Sequence, residues 1–197
     1  METKRIALLG CFLFAVTLVM TPLAGAGDII LRDLYLKNGS VSRCDSVWKG
    51  LGDFVWCDLG GNVKGYPVSD VDMKKTFEIQ IRAAELVDQS RMSFEDGDWD
   101  GTIRAASAAL ALDPQNEVAY TNRAGAHAKK GLLKEALSDC EKAISINPYY
   151  ALAYNNRGFA LEKSGSLPQA LENYDLSCRM GSELGCINVE RVKRLVK

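Results

Sequence analysis

The sequence is poor in the residues that many catalytic and metal sites require. It has one histidine among 197 residues, so a multi-histidine metal site and a histidine pair are both excluded. The 24 basic and 25 acidic residues leave a net charge of -1, which disfavours binding driven by nucleic-acid phosphates. P-loop, dinucleotide-binding, zinc-protease and nucleophile-elbow motifs are also missing. We therefore predict no catalytic residue, no metal site, no cofactor and no nucleic-acid partner.

The one long apolar run in the sequence lies at its N-terminus. A basic pair precedes an apolar stretch at residues 6–20, and small residues follow up to Ala26. This order predicts a secretory signal over residues 1–26 that is cleaved before Gly27. The stretch of 15 residues is short for a membrane span, which needs about 20. An uncleaved membrane anchor is the main alternative, and a lipid-modified Cys11 is a lesser one.

Export would determine the chemistry of the cysteines. The predicted signal contains two basic residues and one acidic residue, so its removal leaves a net charge of -2 and five of the six cysteines. We expect the protein in the periplasm or cell envelope, where disulfides persist. Because five is an odd number, at least one thiol is free or pairs elsewhere.

A 34-residue period organises most of the remaining chain. When units begin at residues 83, 117 and 151, their fifteenth residues are Gly97, Gly131 and Gly165, and Asp-Pro or Asn-Pro closes the first two units. Glycine stands where the chain must turn and proline where a helix must stop, so the pattern predicts helix-turn-helix units. In its period and in its small, aromatic and proline positions, the sequence resembles the tetratricopeptide repeat family.

The resemblance implies a mainly α fold in which three repeats stack into a solenoid. The repeats would occupy residues 83–116, 117–150 and 151–184. A solenoid has apolar ends, so we expect residues 185–197 to form an amphipathic capping helix. Its apolar residues, at helical spacing, are Ile187, Val189, Val192 and Leu195.

Two cysteines bracket the turn into this capping helix. Cys178 lies at a core position of the third repeat, and Cys186 lies near the start of the capping helix. Neighbouring antiparallel helices suit a disulfide at these positions, and secreted cysteine-rich relatives of the repeats have a similar Cys-x7-Cys spacing. We expect a Cys178–Cys186 disulfide, and we expect Cys140 to be a buried free thiol.

Residues 27–70 have no helical period but contain several turn signals. Asn38-Gly39 predicts a two-residue hairpin turn, and glycine-rich turns follow at residues 50–52 and 60–61. We predict a small antiparallel β-meander domain. The arrangement resembles small β-modules that precede repeats in exported bacterial proteins, and this resemblance implies no activity.

A disulfide would help a β-domain of this size. A turn at residues 50–51 places Cys44 opposite Cys57 on adjacent strands, so we expect these two to be bonded. After Ser69 the pattern becomes helical, and residues 71–82 are predicted as a helical connection into the first repeat.

In the tetratricopeptide repeat family, the first helices of successive repeats line a concave groove. The resemblance therefore implies a non-enzymatic interaction module that binds a peptide or protein segment there. Asn122 and Asn156 recur at position six, where a side-chain amide could hold an extended backbone, although they also fit the family consensus. The predicted groove contacts are Arg91, Phe94, Asn122, Asn155, Asn156, Phe159 and Lys163.

The groove departs from one specialised form of the family. The family's clamp for C-terminal Asp-Val peptides has basic residues at position five of the first repeat and position two of the third. Val87 and Leu152 stand at these positions, so we do not expect that ligand.

Three chemical motifs have simpler interpretations. Residues 96–103 match the start of a calcium-binding loop, but Ser107 replaces the bidentate glutamate, and the repeat already explains this turn. Ser46 and Lys49 match the spacing of a serine-lysine enzyme, but a strand would place them on opposite faces. His127 has no predicted carboxylate or serine partner and is interpreted as a packing residue.

Two other functions remain as alternatives. The chain could be a membrane-anchored structural or assembly factor that contacts its partners through the β-domain. A cryptic hydrolase related to the cysteine-rich repeat proteins is the less favoured alternative, because no complete catalytic constellation is recognisable.

Overall fold

The computed structural model describes residues 33–44, 46–49 and 53–195. The predicted signal over residues 1–26 lies outside the described residues. The chain divides into two compact units, with the division between Ile81 and Arg82. Within the described ranges, none of the helices combines the length and the apolar character needed to span a membrane.

The N-terminal unit contains five short antiparallel strands in two sheets. β1 pairs with β2 through a turn in which Gly39 has a φ of +86°, and β3, β4 and β5 form the second sheet in that order. A short 3-10 helix at Val68–Asp70 follows. The strands are β1 (Asp33–Tyr35), β2 (Val41–Arg43), β3 (Ser46–Lys49), β4 (Phe54–Asp58) and β5 (Val63–Pro67).

The predicted small antiparallel β-domain is present, and its strands are divided into two sheets between β2 and β3. The chain leaves the first sheet there and enters the second, and the register places Val47 opposite Cys57. Cys44 lies between the two strands, where it is 2% exposed and bonded to Cys57 with the Cα atoms 5.4 Å apart. The predicted Cys44–Cys57 disulfide is therefore confirmed. The predicted strand register is corrected, because Cys44 lies in the connection between β2 and β3 and is bonded to a residue of β4.

Both sheets contribute to one small core. Tyr66 closes it with a hydrogen bond of 2.7 Å between its hydroxyl and Ser42 Oγ. The core residues are Leu34, Cys44, Val55, Cys57, Tyr66 and Val71.

Seven helices follow the strands within the described residues. α1 begins at Met73 and continues past the predicted repeat boundary at residue 83 without a break. The helices then alternate as the 34-residue period predicts, with Gly97, Gly131 and Gly165 at φ of +77°, +79° and +85° in the turns. The mainly α repeat fold is confirmed. The helices are α1 (Met73–Glu95), α2 (Trp99–Leu112), α3 (Glu117–Lys129), α4 (Leu133–Ile146), α5 (Ala151–Lys163), α6 (Leu167–Arg179) and α7 (Glu183–Leu195).

Small side chains dominate the helical core. Alanine occupies most of the completely buried positions, so neighbouring helices pack with little space between them. The larger Tyr174 is also completely buried, and Val189 and Val192 pack near it. Alanines at 0% exposure include Ala106, Ala109, Ala119, Ala124, Ala126, Ala136, Ala143, Ala153, Ala160 and Ala170.

The capping helix begins earlier than predicted, at Glu183. The first two repeats end in Asp-Pro or Asn-Pro, but Gly181-Ser182 stands at the end of the third. Gly181 has a φ of +89°, and Ser182 Oγ accepts from the Gly185 amide at 3.2 Å, which caps the new helix. The shorter link brings α7 into the stack two residues earlier.

This shift changes the face that α7 buries. Val189 and Val192 are buried as predicted, whereas Ile187 and Leu195 are 55% and 61% exposed. Counting them as core residues of the cap was wrong. The predicted Cys178–Cys186 disulfide is confirmed and joins α6 to α7.

Candidate functional site

The first helices of successive repeats, together with α7, line one cavity of about 730 Å³. Every groove residue predicted from the sequence lies in its wall. The structure thus brings together the side chains that the repeat positions had assigned to one surface, and their role in binding stays a prediction. These residues are Arg91, Phe94, Asn122, Asn155, Asn156, Phe159 and Lys163.

The asparagines at position six connect neighbouring repeats. Asn122 Nδ2 donates to Ser90 Oγ at 2.8 Å, and Ser90 Oγ donates to the Val87 carbonyl at 2.6 Å. Asn156 Nδ2 donates to the Thr121 carbonyl at 3.1 Å. Each amide therefore gives one N–H donor to the preceding first helix. This use within the fold leaves fewer donors for a bound peptide than the sequence-based hypothesis assumed.

α7 contributes a third asparagine of this kind, which the sequence analysis missed. Counted from the observed start at Glu183, positions two, six and nine are Leu184, Asn188 and Arg191, and all three line the cavity. Asn188 Nδ2 donates to Asn155 Oδ1 at 2.9 Å. The absence of proline after the third repeat was the signal that could have revealed this shifted start.

Aromatic side chains and one glycine shape the floor of the cavity. The rings of Phe94 and Trp99 pack edge to face with their centroids 5.0 Å apart. A Cβ atom on Gly125 would lie 2.9 Å from the Phe94 ring and 3.1 Å from Asn156 Nδ2. A side chain here would have to displace the Phe94 ring and the Asn156 amide, so glycine leaves room for both against α3.

The cavity wall contains an ion pair between Glu162 and Arg191. Both guanidinium nitrogens NH1 and NH2 of Arg191 donate to the carboxylate of Glu162, at 2.5 and 2.6 Å. The hydroxyl of the buried Tyr174 donates to the same carboxylate at 2.7 Å. The hydrogen bonds from Arg191 hold the pKa of Glu162 below its usual value, and burial raises the pKa of Tyr174.

The charges in the cavity wall are unequal. Four basic and two acidic residues line it, which gives the wall a net charge of +2. Arg91 is paired with Glu95 at 2.8 Å and lies 3.8 Å from Asp88. Arg191 is paired with Glu162, and the other two basic residues, Lys129 and Lys163, lie beside the Phe159 ring. A negatively charged ligand group would therefore be favoured near Lys129 and Lys163.

A second polar cluster lies between the two helices of the middle repeat. Asp139 accepts hydrogen bonds from Arg123 at 2.7 and 2.9 Å and lies 3.1 Å from His127 Nδ1. The expectation that His127 has no carboxylate partner was wrong. Arg123 also donates to Ser107 Oγ at 2.9 Å, so the carboxylate, guanidinium and hydroxyl form one network that joins the middle repeat to α2 of the first repeat.

The repeats contained a signal for this cluster. Position seven is arginine in the second and third repeats, and position 23 is Asp139 in one and Asn173 in the other. Arg157 Nε donates to Asn173 Oδ1 at 2.6 Å, which reproduces the Arg123–Asp139 contact one repeat later. A comparison of polar positions between repeats would have paired them.

The other chemical motifs have structural explanations. Asp98 Oδ1 accepts from the Gly101 amide at 2.8 Å and caps α2, and Asp100 pairs with Lys130. Ser46 and Lys49 both belong to strand β3, not to the helix that serine-lysine chemistry uses. Cys140 is a buried free thiol, as predicted, and burial raises its pKa to about 12.

Two sequence models of the tetratricopeptide repeat family match the helical part of the chain, at residues 118–150 and 140–172. Together with the alternating helices and the 34-residue period, these matches identify the helical unit. It is a tetratricopeptide repeat domain, and this fold is a protein-interaction module.

Individual relatives match a short stretch of the chain. Mouse tetratricopeptide repeat protein 28 is 42% identical over 59 residues, which are 30% of this chain and 2% of the relative. The Hsp70-Hsp90 organizing protein 1 of Glycine max is 39% identical over 59 residues, which are 30% of this chain and 10% of the relative. The chain thus spans a small part of the length of these proteins.

Solved structures resemble a larger part of the chain. The first repeat domain of human RPAP3 is 26% identical, with a TM-score of 0.55 over 58% of this chain and 92% of that one. The first repeat domain of Spaghetti (RPAP3), bound to the HSP90 peptide SRMEEVD, is 26% identical with a TM-score of 0.53, and covers 58% and 93% of the two chains. The TPR2B domain of yeast Sti1, in complex with pHsp70, is 26% identical with a TM-score of 0.52, and covers 57% and 93%.

Proposed function

We propose that this chain is an exported, non-enzymatic interaction module of the cell envelope that binds a segment of another protein in the concave groove. The observation that carries the proposal is the single cavity lined by all seven predicted groove residues. The similar domains of Spaghetti and Sti1 in complex with chaperone sequences support a peptide or protein segment as the ligand.

The ligand differs from those chaperone peptides. Val87 is half-buried beside the core around Leu86, and Leu152 presents an aliphatic side chain to the groove. Neither residue supplies the positive charge that a C-terminal carboxylate would need at these two positions. We therefore do not expect the partner to be held as the family's clamp holds C-terminal Asp-Val peptides.

The two disulfides support export, because such bonds persist in oxidising compartments. The assignment to the envelope rests on them and on the signal-like residues 1–26. N-terminal sequencing of the protein from the producing cell tests it. A mature start at Gly27 is expected, whereas an intact N-terminus in the membrane fraction would favour the anchored alternative.

The groove proposal is tested with a matched pair of surface variants. Leu152 lines the cavity and is 36% exposed, while Leu132 lies in the turn before α4 and is 40% exposed. Partners are captured from envelope extract with the wild type, Leu152→Asn and Leu132→Asn. Their helical circular dichroism should be equal. Proteins retained by the wild type and Leu132→Asn but lost with Leu152→Asn are the expected result.

Hydrogen exchange of the complex with the captured partner then locates the contact. Protection should fall on the groove side of α1, α3, α5 and α7. The β-unit offers a second candidate surface, because Val41, Phe54 and Val63 are 48%, 43% and 53% exposed. Protection confined to these strands would overturn the groove proposal and support the alternative of contact through the β-domain.

A further inference from the structure

The two edges of the groove differ in chemistry. Position two of the helices α3, α5 and α7 is aliphatic in each case and lines the cavity near the N-terminal end of the helix. Leu152 and Leu184 are 36% and 49% exposed, so apolar surface is open to a ligand along this row. We call Val118, Leu152 and Leu184 the apolar edge.

At the opposite edge, position 13 is Glu95 in the first repeat, where Arg91 pairs with it, and lysine in the second and third repeats. Lys129 and Lys163 stand at position 13 of their repeats, and their Nζ atoms lie 5.0 and 5.5 Å from the centroid of the same Phe159 ring. Within the described ranges neither ammonium group forms an ion pair. The neighbouring Glu162 directs both carboxylate oxygens to Arg191. We call Lys129 and Lys163 the basic edge.

A ligand carboxylate at the basic edge would be favoured by simple electrostatics. The two ammonium groups share one aromatic ring and repel each other, and both are exposed. The basic residues Arg91 and Arg191 already have carboxylate partners inside the protein. The net charge of +2 in the wall is therefore concentrated on the basic edge.

The width of the groove indicates the form of the ligand. Positions two and 13 are eleven residues apart along one helix, a distance of about 16 Å, and an α-helix with its side chains is about 10 to 12 Å across. Neighbouring helices lie about 8 to 10 Å apart, which matches about five to seven residues of a helix laid across them, and residues about seven apart lie on the same face of that helix. A helical ligand also satisfies its own backbone, so it does not need the N–H donors that Asn122 and Asn156 have already used.

We infer that the groove takes an acidic amphipathic helix, with aliphatic residues about seven apart on the apolar edge and carboxylates on the basic edge. This inference rests on the proposed function of the same groove. It specifies the class of partner: a helical segment with Asp or Glu on one flank and Leu, Ile or Phe on the other.

A random 16-residue peptide library displayed on phage tests the inference with the full chain. Selections are run in parallel on the wild type, on Lys129→Gln/Lys163→Gln and on the control Lys134→Gln/Lys142→Gln. The control removes two exposed lysines from α4, outside the groove, and so changes the net charge equally. The most enriched peptide is then synthesised, and its affinity and helical circular dichroism are measured with each protein.

The expected result is enrichment of acidic peptides with heptad-spaced aliphatic residues on the wild type and the control. The synthesised peptide should bind the basic-edge variant about tenfold more weakly and should become helical in the complex. Enriched peptides without acidic residues, or with equal affinity for the basic-edge variant, would overturn the inference and leave the groove function standing. Failure to enrich any peptide in the groove would overturn the proposed function itself.

Discussion

Asp139 holds the middle repeat together through charge. Its side chain is 8% exposed and contacts both Arg123 and His127, and the Arg123 side chain is 22% exposed. The hydrogen bonds to Asp139 raise the pKa of Arg123. The nearby apolar cluster is small, with only Ala128, Ala136 and Ala160 fully buried in it. The Arg123–Asp139 ion pair therefore contributes more to the stability of this repeat than an exposed ion pair would.

Replacing Asp139 by alanine should lower the free energy of unfolding by about 3 kcal/mol, because Arg123 would keep a largely buried charge without its partner. Asp139→Asn should cost much less, because it recreates the hydrogen bond between a guanidinium and a neutral amide that Arg157 and Asn173 form in the next repeat. Asp175→Ala, which breaks an exposed pair with Arg179, should cost less than about 0.5 kcal/mol. Urea unfolding followed by helical circular dichroism measures all three. Equal losses for Asp139→Ala and Asp175→Ala would contradict this account.

Glu162 should give the protein a measurable dependence on pH. Its pKa is lowered in the folded state, so its ionised form stabilises the fold above its unfolded pKa of about 4.3, and this contribution is lost as the pH falls through the folded pKa. Compared with Glu162→Gln, the wild type should be more stable by about 1 kcal/mol at pH 7 and pH 5, with a smaller difference at pH 3.5. Urea unfolding at the three pH values measures this. The exposed Glu172→Gln serves as the control, and a difference that does not change with pH would count against the assignment.

At the scale of elements, α7 takes the position of a fourth first helix in the stack. It buries Gly185, Val189 and Val192 and completes the cavity wall. A Cβ atom on Gly185 would lie 2.7 Å from the Cys178 amide nitrogen, so the two helices touch at the disulfide. The Cys178–Cys186 bond fastens α7 to α6 at this contact.

Replacing Cys178 and Cys186 by serine should destabilise α7 by about 2 to 3 kcal/mol, the value that loop-closure entropy gives for a short ring. Hydrogen exchange should become faster in α7 while α3 and α4 stay protected. The groove would lose Arg191 and Leu184, so peptides selected on the wild type should bind more weakly. Unchanged exchange in α7 would show that packing alone holds the helix.

At the scale of the whole molecule, the helical unit was predictable because the 34-residue period repeats each signal. Glycine turns, alanine contacts and groove positions occur in several copies, and the copies support one another. The β-unit has no such redundancy. Cys44 was assigned to a ladder position because alternation alone does not show where a chain passes from one sheet to another.

The site was predictable in its positions but not in its contacts. All seven groove residues could be placed from the repeat, since groove positions follow from helix geometry. The partners of Asn122 and Asn156 depend on how closely neighbouring helices approach, which Gly125 and Ser90 decide locally. The contribution of α7 to the cavity could not be predicted without knowing that this helix begins at Glu183. The third repeat lacks the closing proline of the first two, and the helix begins two residues earlier than the repeat period predicts.

The two units have separate cores, so the Cys44–Cys57 disulfide should matter to one of them alone. The β-unit buries few side chains, and two of its six core residues are these cysteines. Replacing both by serine should cost it about 3 kcal/mol, which is comparable to the whole stability of so small a core.

We therefore expect the β-unit of Cys44→Ser/Cys57→Ser to unfold at 37 °C while the repeats keep their structure. Limited proteolysis should cut within residues 33–72 and leave α3 to α7 intact, and the thermal midpoint of the helical signal should stay within about 2 °C of the wild type. The paired variant Cys178→Ser/Cys186→Ser should show the opposite pattern, with a protected β-unit and a weakened α7. If removing the Cys44–Cys57 bond lowered the helical midpoint as far as removing the Cys178–Cys186 bond, the two cores would be energetically coupled, and each disulfide would stabilise more than the unit that contains it.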